Sequence, residues 1–181
     1  MKYKVVNKQF NYDQCVVCGY HNPFSMNAAF YELENNEVVS FFSTIDQHQS
    51  YPERTHGGLI SAILDETIGR AIKCYEPDAW GVTVELTTKF KKPVPLNTRL
   101  MCAGRIIENR SRMYVGTGEL YLPDGQVAAT AEVKYVKQTP QKITNIDIEA
   151  LGLTILPDKE EITEVELYGD NPENIPFHLE K

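Results

Sequence analysis

Nowhere in the 181 residues is there a run of about 18 apolar residues, which excludes a helix that crosses a membrane. The opening stretch, MKYKVVNKQFNYDQ, has lysines but no apolar segment behind them. It does not read as a secretory signal, and a cytoplasmic location is the expectation. Positive charge is also short: 18 Lys and Arg stand against 25 Asp and Glu, a formal net charge of −7. That is the wrong sign for nonspecific binding to nucleic acid or to an acidic membrane, although a local basic patch for a small phosphorylated ligand stays open. Cysteine is scarce at four residues, Cys15, Cys18, Cys74 and Cys102, too few and too scattered for a disulfide framework. Cys15 and Cys18 with His21 resemble half of a zinc site. A closed site takes four ligands, usually from two such pairs, and no second pair exists. The segment CVVCGYHNPFS therefore reads as a tight turn with small buried thiols, and no metal is expected. Internal repeats and low-complexity tracts are absent as well.

What is present is enough apolar residue, 42%, for one domain with its own core. Residues 1–26 form an irregular or weakly helical N-terminal cap, 27–138 the main domain, and 139–181 an acidic, proline-bearing extension. Two strands, 28–34 and 37–45, flank Glu34-Asn35-Asn36, a hairpin turn in which Asn takes the left-handed position. The segment DQHQSYPERT that follows is a polar loop. Ile60, Ile63, Leu64, Thr67, Ile68, Ala71, Ile72 and Tyr75 then repeat at helical spacing, and Pro77 ends the helix near Tyr75. From Val82 to Phe90 apolar residues alternate as in a half-buried strand, which Pro93 and Pro95 stop. Three further strands cover 99–109, 113–122 and 127–137, with Pro123-Asp124-Gly125 as the last turn. One long helix followed by four sequential strands implies an α+β fold, an antiparallel sheet with one helix against it. In the acidic extension Val165, Leu167 and Tyr168 form a short edge strand or pack on a neighbour, and the sequence leaves both open.

The helix opens on His56-Gly57-Gly58 and carries Asp65 and Glu66 inside its apolar pattern. The first amides of a helix have no partner within it, and the helix dipole adds partial positive charge there. Glycine lets a ligand oxygen approach that backbone, so the site can hold an oxyanion; two glycines also simply make a bend. Asp65 lies nearly two turns on, at the margin of the apolar face, where a partly desolvated carboxylate is a poised base or nucleophile. Glu66, one position further round, reads as a solvated helix acid. Seven residues at helical rise separate Gly58 from Asp65 by about 10 Å along the axis. Both groups must come within about 3 Å of one reacting carbonyl. One helix struggles to supply both, whereas two antiparallel copies across a two-fold axis bring Gly58 of one copy to Asp65 of the other. A homodimer with shared sites is the expectation. His56 acts as a base, orients the loop or merely enters the helix, and its place at the turn favours orientation. Of the remaining histidines, His21 and His178 lack such a setting, and His48 is a weaker candidate to line the site.

HGGLISAILDETIG resembles the motif of hotdog-fold acyl-CoA thioesterases: H-G-G, six residues, then Asp or Glu. It is most similar to the phenylacetate-degradation-type branch of the 4-hydroxybenzoyl-CoA thioesterase superfamily. VTVELTTKFKKPVPL looks like that family's strand entering a Lys/Arg-Pro-x-Pro corner, and CVVCGYHNPFS resembles the Cys-x-x-Cys-Gly…Asn-Pro segment that precedes many such domains. The matches span about residues 15 to 138. The resemblance implies a hotdog fold, a long central helix wrapped by an antiparallel sheet of five to six strands, in dimers that can pair into tetramers. It implies Asp65 as the base that activates water or as the nucleophile, Gly57 and Gly58 amides that polarise the thioester carbonyl, His56 bracing that loop, and Thr83 helping to position water or the carboxylate. A purely structural role for Thr83 in its strand stands beside this. Where relatives often carry Asn or Gln in the loop before the motif, this chain has Gln49 and Ser50. Lys91, Lys92, Arg110 and Arg112 are the candidates for the phosphates of coenzyme A, or else are solvated surface charges.

The activity so implied is hydrolysis of an acyl-CoA thioester, which needs no metal or organic cofactor because water, a carboxylate and backbone dipoles suffice. The alternative on the same fold is a non-catalytic acyl-CoA-binding or sensor protein. Asp65 speaks against it, since a pure binder gains little from a carboxylate beside an electron-rich thioester.

Overall fold

A computed structural model describes residues 1–145 and 152–168. Eight strands form one sheet: β1 (Lys2–Lys8), β2 (Ala29–Leu33), β3 (Val38–Ser43), β4 (Trp80–Phe90), β5 (Arg99–Asn109), β6 (Met113–Tyr121), β7 (Val127–Gln138) and β8 (Glu164–Glu166). Their order across the sheet is β4-β7-β6-β5-β3-β2-β1-β8, and every pairing is antiparallel. The helix α1 (Gly57–Arg70) packs against β3 to β7, and a single helical turn, α2 (Pro140–Ile143), follows β7.

The single long helix and the antiparallel sheet are as expected, but the strand count is eight rather than five to six. The two additional strands are β1 and β8, which pair with each other at the far edge through Lys2–Glu166 and Lys4–Glu164. The charged residues of KYKVVNK mask its alternation, so that the sequence alone presents it as irregular or weakly helical. In the fold one face of it points to solvent, and Val165 and Leu167 close a small second core beneath it. Residues 146–151 and 169–181 of the acidic extension, His178 included, lie outside the described residues. The turns follow their residues: Asn36 takes φ 64° in the β2–β3 hairpin and Gly125 takes φ 80° between β6 and β7.

The helix is shorter than its periodicity predicts. It is α-helical only to Arg70, and residues 71–74 tighten into a 3₁₀ turn before Tyr75. Ile60, Ile63, Leu64 and Ile68 are buried against the sheet, each worth about 1.5–3 kcal/mol of apolar transfer. A trough of glycines receives Ile68. Gly104 on β5 pairs with Gly118 on β6, and a Cβ on Gly104 would stand 2.7 Å from the Cα of Ile68. Since the obstacle is helix backbone, no rotamer relieves it. Gly104→Ala therefore lifts α1 off the sheet at a cost of about 1–3 kcal/mol, read as a lower urea midpoint with the slope retained. An unchanged midpoint contradicts this packing.

Candidate active site

Strand β4 is the edge strand beside α1, and the two elements touch at three levels. Phe90 stands 3.4 Å from the position a Cβ of Gly57 would take, Thr88 Oγ1 accepts from Ser61 Oγ at 3.1 Å, and Thr83 Oγ1 donates to Asp65 Oδ1 at 2.9 Å. Gly57, Ser61 and Asp65 repeat every four residues, so they form one stripe along the helix. The ladder between β4 and β7 shifts register between Thr83 and Glu85, immediately after the residue that reaches Asp65. Bulges of this kind re-aim side chains.

Asp65 sits half-buried at the margin of the core, as its stripe predicts. Burial raises its carboxyl above the ordinary value of 3.8, opposed by the hydroxyls of Thr83 and Tyr135 and aided by Glu66. Tyr135 also donates to the Asp65 backbone carbonyl at 2.7 Å, fixing this turn of the helix to β7. In the sequence nothing distinguishes Tyr135 from the other positions of its strand.

Asp65 opens into a cavity of about 360 Å³. Phe10, Tyr12, Trp80, Tyr114 and Tyr135 line it, with Glu66, Arg70 and Lys73 along the helix side. Glu66 is a correction: it is not a solvated acid but half-buried, holding Arg70 Nε at 2.8 Å. Arg70 is itself buried, lying 4.0 Å from the Phe30 ring centroid and donating to Phe10 O at 2.8 Å. A buried guanidinium demands a carboxylate neighbour, and Glu66 at i−4 is the one in reach. The N-terminal segment covers the last turn of the helix, which no helical period reveals.

At the helix start His56 is the N-cap: its Nδ1 accepts from Gly58 N–H at 2.9 Å, and its carbonyl accepts from Leu59 and Ile60. The imidazole thus braces the turn and occupies the Gly58 amide. The Gly57 N–H is left as the helix-start amide with no hydrogen bond among the described residues. About 12 Å of helix separates Gly57 from Asp65 within one chain.

The remaining candidates are placed as follows. Gln49 is exposed, its Oε1 accepting from Glu53 N–H at 2.9 Å within its own loop, and Ser50 is exposed beside it. His48 is not a site residue: it is 3% exposed, its Nε2 bonds Phe24 O at 2.9 Å and its Nδ1 accepts from Ile45 N–H. Both ring nitrogens are used in the core, and the His48 carbonyl accepts from His56 N–H at 2.8 Å, anchoring the approach to the glycines. Lys91 and Lys92 are exposed just past Phe90, at the Gly57 end of the helix. Arg110 and Arg112 lie in the β5–β6 turn at the opposite end, where Arg110 pairs with Glu108 and Arg112 O accepts from Lys137 N–H. One chain does not gather these four cations. Among the described residues no group of three or more His, Cys, Asp or Glu is arranged to hold a metal ion.

Comparison with known proteins bears on the fold. Residues 54–129 match the model of the thioesterase superfamily. An uncharacterized mitochondrial protein of Candida albicans is 31% identical over 91 residues, covering 50% of this chain and 41% of that one. The acyl-coenzyme A thioesterase THEM4 of Mus musculus is 27% identical over 117 residues, 64% of this chain and 49% of that one. The chain thus spans less than half the length of either relative. A crystal structure of a thioesterase superfamily protein superposes with a TM-score of 0.62 at 25% identity, over 68% of this chain and 60% of that one. The protein accordingly has the hotdog thioesterase fold, and in residues 54–129 it carries a segment that matches the thioesterase superfamily.

Proposed function

We propose that the protein hydrolyses acyl-CoA thioesters at a site built from two copies of the chain. The observation that carries this reading is the Asp65 carboxylate, held by Thr83 at 2.9 Å, raised by burial, and open to a cavity large enough for an acyl group. Asp65 takes a proton from the attacking water, and the Gly57 amide at a helix start polarises the carbonyl on which negative charge develops. His56 holds that turn in place through Gly58. On this reading the chain stands with the phenylacetate-degradation-type branch, since the spacing from His56 to Asp65 is the one that branch shares.

The case for two copies rests on distance and on β4. The 12 Å between Gly57 and Asp65, about two turns of helix, is too far for one carbonyl. Among the described residues no strand lies beside the outer edge of β4, and Val82, Val84, Leu86 and Phe90 along it are 39%, 54%, 37% and 56% exposed. A long apolar edge of this kind is a pairing surface. Antiparallel pairing sets the Gly57 end of one helix against the Asp65 region of the other. It also carries Lys91 and Lys92 of one copy toward Arg110 and Arg112 of the other, where they meet the phosphates of coenzyme A.

The test is release of free thiol from a panel of acyl-CoAs of differing acyl group. Turnover of at least one supports hydrolysis; tight binding of all without turnover makes the protein an acyl-CoA sensor. A pH profile adds detail. The base works ionised, so turnover falls as pH drops through the raised Asp65 value. Because the Thr83 hydroxyl holds that value down, Thr83→Val moves the acid limb of kcat to higher pH. A limb that stays in place removes Thr83 from its role.

A further inference from the structure

Cys15 and Cys18 take no part in the chemistry above, yet the fold surrounds their sulfurs with hydrogen-bond donors. The turn that joins them is locked: Gly19 N–H donates to Cys15 O at 2.7 Å, and a Cβ on Gly19 would stand 2.3 Å from that oxygen. Within this turn the three-residue spacing sets the two side chains on one side, and Val17 N–H donates to Cys15 Sγ at 3.3 Å. The Cys18 sulfur in turn accepts from Tyr12 N–H at 3.5 Å and from Arg70 Nη2 at 3.5 Å. Cys15 is partly open to solvent and Cys18 is buried behind it. His21, the nearest third ligand for a metal, is turned away to Asp13 Oδ1 at 2.6 Å.

The contrast with the other two cysteines is one of surroundings. Burial pushes Cys74 and Cys102 up to about 12, whereas the Cys18 hydrogen bond brings Cys15 down to about 7. An accessible thiol stabilised as thiolate, with a second thiol in contact behind it, is the arrangement that exchanges with disulfides.

We infer that Cys15 and Cys18 form a reversible dithiol–disulfide pair whose oxidant is a small-molecule disulfide. The Cys15 thiolate attacks one sulfur of that disulfide, forming a mixed disulfide and expelling a thiolate that takes up a proton. In the reduced pair the Cys15 contact and burial hold the Cys18 thiol protonated. Once Cys15 is in the mixed disulfide that contact is gone, Arg70 opposes the burial, and Cys18 attacks the Cys15 sulfur as a thiolate. The Cys15–Cys18 bond forms, and the second small thiol leaves with the proton Cys18 gave up. Two electrons pass from the pair to the small molecule, which ends as two thiols, and excess thiol reverses both steps. The site is not remote from the cavity, because Tyr12 and Arg70, which contact the Cys18 sulfur, also form the cavity wall.

The test uses the full chain, reduced, desalted and equilibrated with glutathione at graded ratios of oxidised to reduced. Free thiols are trapped with N-ethylmaleimide and located by peptide mass. Cys15 and Cys18 are expected to lose their labels together along one titration curve while Cys74 and Cys102 keep theirs. Before oxidation, Cys15 is expected to label at least about tenfold faster than Cys74 at pH 7. Cys18→Ser should stop at the first step, carrying one glutathione on Cys15. Full labelling of Cys15 and Cys18 in oxidised glutathione alone overturns the inference, as does loss of label that runs equally through all four cysteines. The wild-type titration decides the matter even where the variant fails to fold, and no acyl-CoA turnover enters it.

Discussion

Asp65→Asn lowers turnover of the preferred acyl-CoA by about 10²–10⁴-fold, the usual worth of a positioned general base. The fall lies in kcat, because the substitution keeps the size and the Thr83 hydrogen bond while removing the site that accepts water's proton. The same variant becomes more stable. A carboxyl whose value is raised by folding favours its protonated form in the native state, so its contribution to stability is lost as pH rises above the ordinary value of 3.8. At neutral pH the ionised Asp65 works against the fold, and neutral Asn removes that cost. The urea midpoint at pH 7 therefore rises while activity disappears. A variant that loses activity by unfolding shows the opposite sign, so the two measurements together separate catalysis from stability. Turnover within threefold of wild type takes Asp65 out of the chemistry.

A second large loss follows from the edge strand. Leu86 lies midway along β4, 37% exposed in the single chain. Leu86→Glu sets a charge against its symmetry mate wherever two β4 edges meet, and like charges there oppose pairing. The expected result is a monomer at micromolar concentration by sedimentation, an unchanged circular dichroism spectrum, and turnover reduced about 100-fold or more. The loss appears although Leu86 lines neither the cavity nor the helix start. An active monomer would show that one chain holds a whole site.

How much of this was legible depends on how far apart the partners lie. The stripe through Asp65 is a local property of one helix, so its place at the core margin could be read from spacing alone. So could strands β4 to β7, whose alternation is strong and whose turns carry Asn, Pro and Gly. The cavity could not, since Phe10, Trp80 and Tyr135 meet only once the sheet has curled around α1. Arg70 and Glu66 show the same limit: the helix reads as exposed there until the N-terminal segment is laid across it. His48 stands in a stretch of polar residues and gives no sign that both its nitrogens are spent on backbone groups of the core. At the helix start the two glycines and a bracing role for His56 are legible, but not that its ring takes the amide of the second glycine. The edge strand β1 is hidden because a strand with one solvated face and several charges resembles a loop, whereas β8 is one of the two outcomes that Val165 and Leu167 leave open.

The sharing of one site between two copies is tested most directly by mixing. One preparation carries Asp65→Asn with its glycine turn intact; the other keeps Asp65 but carries Gly57→Val, which crowds the helix start against Phe90. Each alone is nearly inactive. After subunit exchange at equal amounts, half the dimers are mixed and each has one whole site, so about a quarter of wild-type turnover should return. No recovery at any mixing ratio, with exchange verified by mass, would mean that Asp65 and Gly57 do not meet across the two-fold axis.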